Sequence, residues 1–235
     1  MDRRAFIGAL ALTSCQKMSL KLFHIQNKSA GGNDFSNSNI VAYGNSLTYG
    51  DQSSNPATKS YPAILKTLSP FNVAGCTIIN TGVSGRTTQQ LITNQASVVN
   101  TLFAPGKRNI VLVFEMINDL YNNCLTGAAA EANMATLCTN LKASGWEVWV
   151  GGTTVRQVSI APGDICGSTG ANLESRSDTA NGLVAANWTT YADGYVDLRS
   201  DATLNGNPTY MADNIHFNDA GYDRLAQIFK NYLTA

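Results

Sequence analysis

Ser46 lies in Ile40-Val41-Ala42-Tyr43-Gly44-Asn45-Ser46-Leu47-Thr48-Tyr49-Gly50, an apolar run that ends abruptly in glycine, serine and a second glycine. The pattern predicts a strand that delivers Ser46 to a tight turn into a helix. A serine hydroxyl becomes a nucleophile when such a turn exposes it beside a base. The same residues also suit a plain helix N-cap, because serine and asparagine oxygens satisfy first-turn N–H groups. Finding a base separates these readings. The chain holds two histidines, and His24 falls in a polar stretch read below as a tether, which leaves His216. His216 follows Asp213 by three residues. At that spacing a turn lets the carboxylate accept the Nδ1 proton, fix the tautomer and support the imidazolium that forms. The competing arrangement has Asp213 capping the last helix or its preceding turn, with His216 at the surface.

Groups so far apart in sequence act together only if the fold gathers them. Asn109-Ile110-Val111-Leu112-Val113-Phe114 is continuously apolar, as strands covered on both faces by helices tend to be. Further strands are expected at Val73–Asn80, Trp146–Val150 and Tyr195–Leu198. Helices are expected over Tyr61–Leu68, about Gln89–Phe103, Ala128–Ala143, Glu174–Tyr191 and Asp219 to about Tyr232. Strands alternating with helices predict an α/β fold, a three-layer α/β/α sandwich around a parallel sheet of about five strands. In such sheets the site lies at the carboxyl ends of the strands. The long loop from Thr153 to about Asn172 also follows a strand end, where it can cover a site. Trp146 and Trp149 are read as core or rim packing.

The 235 residues, 44% of them hydrophobic, fit one such domain better than two. A formal net charge of zero, with a sequence pI near 6.7, gives no electrostatic footprint for nucleic acid or an anionic membrane. Residues 1–15 place Arg3-Arg4 before a short apolar run that ends in Leu12-Thr13-Ser14-Cys15. This has the charged and apolar regions of a signal peptide; it resembles a twin-arginine export signal with a lipobox-like end, whose Cys15 would carry lipid. Residues 16–38, rich in Asn, Ser and Gly, are expected to be a flexible tether, and 39–235 the folded domain. Export into an oxidising compartment leaves Cys76, Cys124, Cys138 and Cys166, enough for two disulfides in three connectivities. Cys124 and Cys166 both follow strand ends, so that pair is favoured. No Cys-x-x-Cys pair or histidine cluster points to a metal.

Four blocks occur in order: Gly44-Asn45-Ser46-Leu47-Thr48, Asn80-Thr81-Gly82-Val83-Ser84-Gly85-Arg86-Thr87, Ile117-Asn118-Asp119, and Asp213-Asn214-Ile215-His216-Phe217-Asn218-Asp219-Ala220-Gly221-Tyr222. Together they resemble the blocks of the SGNH hydrolases, the GDSL esterase/lipase family, and span about Ile40 to Leu233. The resemblance implies a flavodoxin-like SGNH hydrolase fold. It makes Ser46 the nucleophile, Gly85 and Asn118 oxyanion donors, His216 the general base and Asp213 its orienting carboxylate. The activity it implies is ester hydrolysis through an acyl-enzyme with no cofactor, on a small-molecule or glycan ester; polysaccharide deacetylation is the first expectation. A lysophospholipase, thioesterase or acyltransferase on the same triad stays open, as does an inactive carbohydrate-binding envelope lipoprotein. Departures from the pattern are Asn45 for aspartate, Met116 for glycine and Phe217 for proline. The Met116 side chain is expected to crowd or line the acyl pocket. Arg86 is open between binding an acidic substrate and being a solvated charge at a helix start.

Overall fold

Arg108–Phe114 forms β3, the middle strand of a five-stranded sheet, and Asn109 through Phe114 are all buried. A strand with no solvent face needs no polar alternation, which is why its sequence is a continuous apolar run. Each fully buried Val, Leu or Ile there contributes about 1.5–3 kcal/mol relative to exposure. The computed structural model describes residues 34–154, 166 and 170–235. The other strands are β1 (Ser38–Gly44), β2 (Thr77–Asn80), β4 (Glu147–Gly151) and β5 (Gly194–Val196). All pair in parallel, in the order β2-β1-β3-β4-β5.

The register places the site. Ala42 pairs with Asn80, Gly44 with Phe114, Phe114 with Gly151, and Gly151 with Val196. The strands therefore finish side by side, and the turns after β1, β2 and β3 open at one edge of the sheet. The helices are α1 (Ser46–Tyr49), α2 (Pro56–Lys59), α3 (Tyr61–Leu65), α4 (Thr88–Val98), α5 (Ile117–Tyr121), α6 (Gly127–Ala143), α7 (Gly170–Asn187) and α8 (Asp219–Thr234). On one face α4 packs on α6 and α6 on α7; on the other α3 packs on α8. Tyr43 of β1 sends its hydroxyl to the Leu91 carbonyl of α4 at 2.7 Å. Phe114, with the opposite strand parity, packs at 6.2 Å on Phe229 of α8, which stacks on Tyr61 at 4.5 Å. The three-layer α/β/α sandwich with a parallel five-stranded sheet is the architecture expected from the sequence.

Boundaries move where turns intervene. β2 begins at Thr77 rather than Val73, because Cys76 N–H closes a turn onto the Val73 carbonyl and Gly75 lies against the Ser36 carbonyl. The expected helix from Gln89 to Phe103 starts at Thr88, fixed by a reciprocal capping box between Thr87 and Gln90. It ends at Val98, and a 3₁₀ turn covers Asn100–Leu102. α7 spans Gly170–Asn187 instead of Glu174–Tyr191, with a separate 3₁₀ turn over Trp188–Thr190. Phe35 is buried against Phe71, ring centroids 4.4 Å apart, and β1 begins at Ser38, so folded structure starts ahead of residue 39. The signal-peptide and lipid-anchor readings, the tether up to residue 33, and most of the loop after Thr154 lie outside the described residues. No helix among the described residues is long and apolar enough to cross a membrane.

Cys124 and Cys166 form a disulfide, while Cys76 and Cys138 are free and buried. One of the two possible bonds exists, and it is the pair the sequence favoured. Burial pushes both free thiols up, which keeps them in the unreactive form. The bridge spans a sequence separation of 42. Restricting a loop of that size in the unfolded chain is worth about 4 kcal/mol on the chain-entropy model. Replacing both bridge cysteines by alanine should lower the unfolding free energy by about that amount, read as a fall in the denaturant midpoint with a steeper slope, because the released unfolded chain exposes more surface.

Candidate active site

β1 ends at Gly44, and Asn45 turns the chain by accepting the Leu47 N–H on its side-chain oxygen at 2.8 Å. Ser46 is thereby the first residue of α1, 5% exposed. Its Oγ lies 3.0 Å from His216 Nε2, and His216 Nδ1 lies 2.7 Å from Asp213 Oδ2. The other Asp213 oxygen accepts the Ile215 and His216 backbone N–H groups, each at 2.7 Å. Partial burial pushes this carboxyl up, but those two N–H donors and the imidazole outweigh it and hold it below the usual carboxylate range. Its stabilising contribution is complete above the unfolded value of about 3.9 and is lost only as pH falls through the lower folded value. At neutral pH Asp213 is an anion bonded to the imidazole.

Bonds outside the triad hold the segment after Ser46 to the segment that carries His216. Asp219, the first residue of α8, accepts the Ser54 N–H at 2.7 Å and the Ser54 hydroxyl at 2.6 Å. The Tyr222 hydroxyl donates to the Asp51 carbonyl at 2.8 Å, and Asp51 N–H donates to the Ser46 carbonyl. The histidine segment is thus fastened to the serine turn from two directions. Asp51 and Ser54 carry no sequence signal, because an acid or serine in a polar loop looks like any other. Tyr222 stood in a recognised block without a role.

The loop after β2 lies directly on the serine turn. A Cβ on Gly82 would fall 2.3 Å from the Tyr49 nitrogen and 2.9 Å from the Asn45 carbonyl, so only glycine fits. Val83 N–H donates to the Gly44 carbonyl at 3.2 Å. Gly85 has φ +76° with nothing within 4 Å of an added Cβ; backbone conformation, not space, selects glycine there. The Ser84 hydroxyl bonds the Asp51 carboxylate. Asn118 Nδ2 donates to the Arg86 carbonyl at 2.7 Å, which ties α5 to this loop and leaves its second amide hydrogen. Among the described residues, neither Gly85 N–H nor Ser46 N–H donates to a partner. Thr88 reinforces the junction, its N–H and hydroxyl reaching Asp119 at 2.8 and 2.6 Å.

All five residues singled out from the sequence therefore lie on one rim: Ser46, His216 and Asp213 in a hydrogen-bonded row, Gly85 on the adjoining loop and Asn118 in the first turn of α5. This arrangement can pass a proton from a serine hydroxyl to an imidazole and present amide donors to a developing oxyanion. If Asn118 is such a donor, Asn118→Ala should lower kcat for a chromogenic ester by about 10²–10³-fold with little change in KM. Steady-state kinetics checks this.

Met116 sits at the N-cap of α5 with φ +100°, a left-handed backbone that costs a non-glycine residue about 1–3 kcal/mol. Its side chain is fully buried, so it belongs to the core and lines no open pocket. Arg86 is neither a free surface charge nor paired with a carboxylate among the described residues. It is part-buried, and its charge opposes the rise that burial imposes on Tyr43, whose hydroxyl is pushed up to about 12. A cleft of about 470 Å³ adjoins α1 through Tyr49 and runs past Gly82, Asn80 and Ile78 to Lys66, without including Ser46 or His216.

A model of the GDSL-like lipase/acylhydrolase family matches residues 42–224. No curated protein matches the chain significantly. Among solved structures, a lipolytic protein of the G-D-S-L family from Veillonella parvula superposes with a TM-score of 0.63 at 16% identity, over 84% of this chain and 98% of that one. A lipase/acylhydrolase from Enterococcus faecalis gives 0.64 at 18% identity, over 84% and 95%. An acetyl xylan esterase gives 0.61 at 16% identity, over 82% and 98%. At these identities the likeness is one of fold.

Proposed function

Since the chain belongs to the GDSL-like lipase/acylhydrolase family, we propose that it is an exported serine esterase that removes short acyl groups, acetyl foremost, from a polysaccharide. The observation that carries the chemistry is the 3.0 Å contact from Ser46 Oγ to His216 Nε2, with Asp213 on the far side of the ring. Ser46 attacks the ester carbonyl while His216 takes its proton. The oxyanion is met by Ser46 N–H, Gly85 N–H and the free hydrogen of the Asn118 amide, each such donor worth roughly 3 kcal/mol in other enzymes. His216 then returns the proton to the leaving alcohol. An acyl-serine remains, and water deprotonated by His216 releases the acid. No cofactor enters this scheme.

The N-terminal charge and lipobox pattern argues for export, with a lipid anchor at Cys15, and an envelope or plant polysaccharide is an ester accessible there. The acetyl xylan esterase of the same fold is compatible with that choice. A panel of chromogenic esters and acetylated glycans tests it: turnover should fall as the acyl chain lengthens beyond a few carbons. Faster release from long-chain lysophospholipids or thioesters would replace the polysaccharide reading, and acyl transfer to an added sugar would make the protein a transferase. An intact Met1 on protein recovered from the native envelope would remove the processing claim.

A further inference from the structure

Glu115 is a buried acid in the site's foundation that the reaction scheme does not use. It follows β3 directly, is 1% exposed, and pairs with no lysine or arginine among the described residues. One carboxyl oxygen accepts the backbone N–H of Asn118 at 3.3 Å. The other oxygen is buried without a hydrogen-bond partner, and so is the side-chain nitrogen of Asn45, which faces this carboxyl. Glu115 therefore touches the residue before the nucleophile on one side and the proposed oxyanion donor on the other.

We propose that Glu115 is a neutral carboxylic acid that positions Asn118 and Asn45, and that the site depends on its carrying no charge. The proposal rests on the esterase reading given above. Four physical arguments support it. A buried carboxylate with no cation partner is too costly to keep ionised when a proton is available. The groups facing it supply no positive charge: they are the Asn45 amide, the N–H groups of Met116 and Asn118, and the Asp119 carboxyl. Burial pushes Glu115 well above the usual range and Asp119 adds to that, more than the amide donors lower it. Finally, a negative charge behind Asn118 would oppose the charge that the substrate oxygen acquires, in a site where screening by water is weak. Protonated on the oxygen that accepts nothing, the acid still takes the Asn118 N–H on the other and omits the opposing charge.

The test uses the whole protein with two substitutions. Glu115→Leu leaves the Asn118 N–H unpaired and should reduce kcat by on the order of 10²-fold at nearly constant KM, as a displaced catalytic donor does. Glu115→Gln, a neutral group of the same shape, should restore most of that loss. Infrared spectroscopy at neutral pH should show a protonated carboxyl band in the wild type that Glu115→Gln removes. A wild type lacking that band, a Glu115→Gln variant as slow as Glu115→Leu though folded, or a Glu115→Leu variant of normal activity would each overturn the proposal. If the wild type turned over no ester, the esterase reading would fail, whereas the infrared band would still decide the state of Glu115.

Discussion

Ser46→Ala is expected to abolish covalent labelling by a fluorophosphonate probe and to lower kcat for any accepted ester by on the order of 10⁶-fold, the size of the loss when a serine nucleophile is removed elsewhere. What survives would be the catalysis given by binding and amide donors alone, roughly 10³–10⁴ over water. The fold should not suffer. The side chain bonds only His216 among the described residues, and the turn is made by other groups: Asn45 caps Leu47, Gly50 N–H bonds the Ser46 carbonyl, and Gly82 seats the next loop. Circular dichroism and the denaturant midpoint should therefore match the wild type. This experiment also separates the enzyme from its rival, an inactive glycan-binding envelope protein, which predicts neither labelling nor turnover in the wild type. Labelling that persisted in the alanine variant would place the nucleophile on another residue.

His216→Ala should cost at least ~10³-fold in kcat with a small change in KM. In the proposed cycle the imidazole does three things: it accepts the serine proton, returns it to the leaving alcohol, and activates the water that ends the cycle. None of the other described residues is placed against the Ser46 hydroxyl to take over. Asp213 keeps the local backbone in place without the ring, because its bonds to the N–H groups of residues 215 and 216 use main-chain donors. The loss should then be chemical, and added imidazole should recover part of it by entering the vacated space. Near-normal rates in this variant would remove His216 as the base.

The sequence by itself determined the layer architecture and the identity of the candidate groups. An unbroken apolar run of strand length, rich in β-branched residues, marked β3, and its six buried residues fit a strand covered on both faces. Elimination sufficed for the histidine. Four short blocks in order sufficed for the family. Helix ends were legible only where capping chemistry marked them: Asn218 accepting Gly221 N–H fixes the start of α8 at Asp219, as expected, while the 3₁₀ turns after α4 and α7 were invisible, because one tight turn has no period of its own. Of the disulfide, the sequence supplied a favoured pair, but only proximity of the two cysteines chose it.

Tertiary structure alone decided what surrounds the triad. That Met116 occupies a left-handed position and yet lies in the core, that the Arg86 charge acts on Tyr43, and that Glu115 is buried against Asn118 without a cation partner among the described residues are consequences of strand register and loop packing. A residue's type and its neighbours in sequence fix its donors, acceptors and backbone preferences. Whether it is charged, strained or within reach of another group depends on segments folded against it from far along the chain, and those are set by long-range contacts that no local pattern encodes.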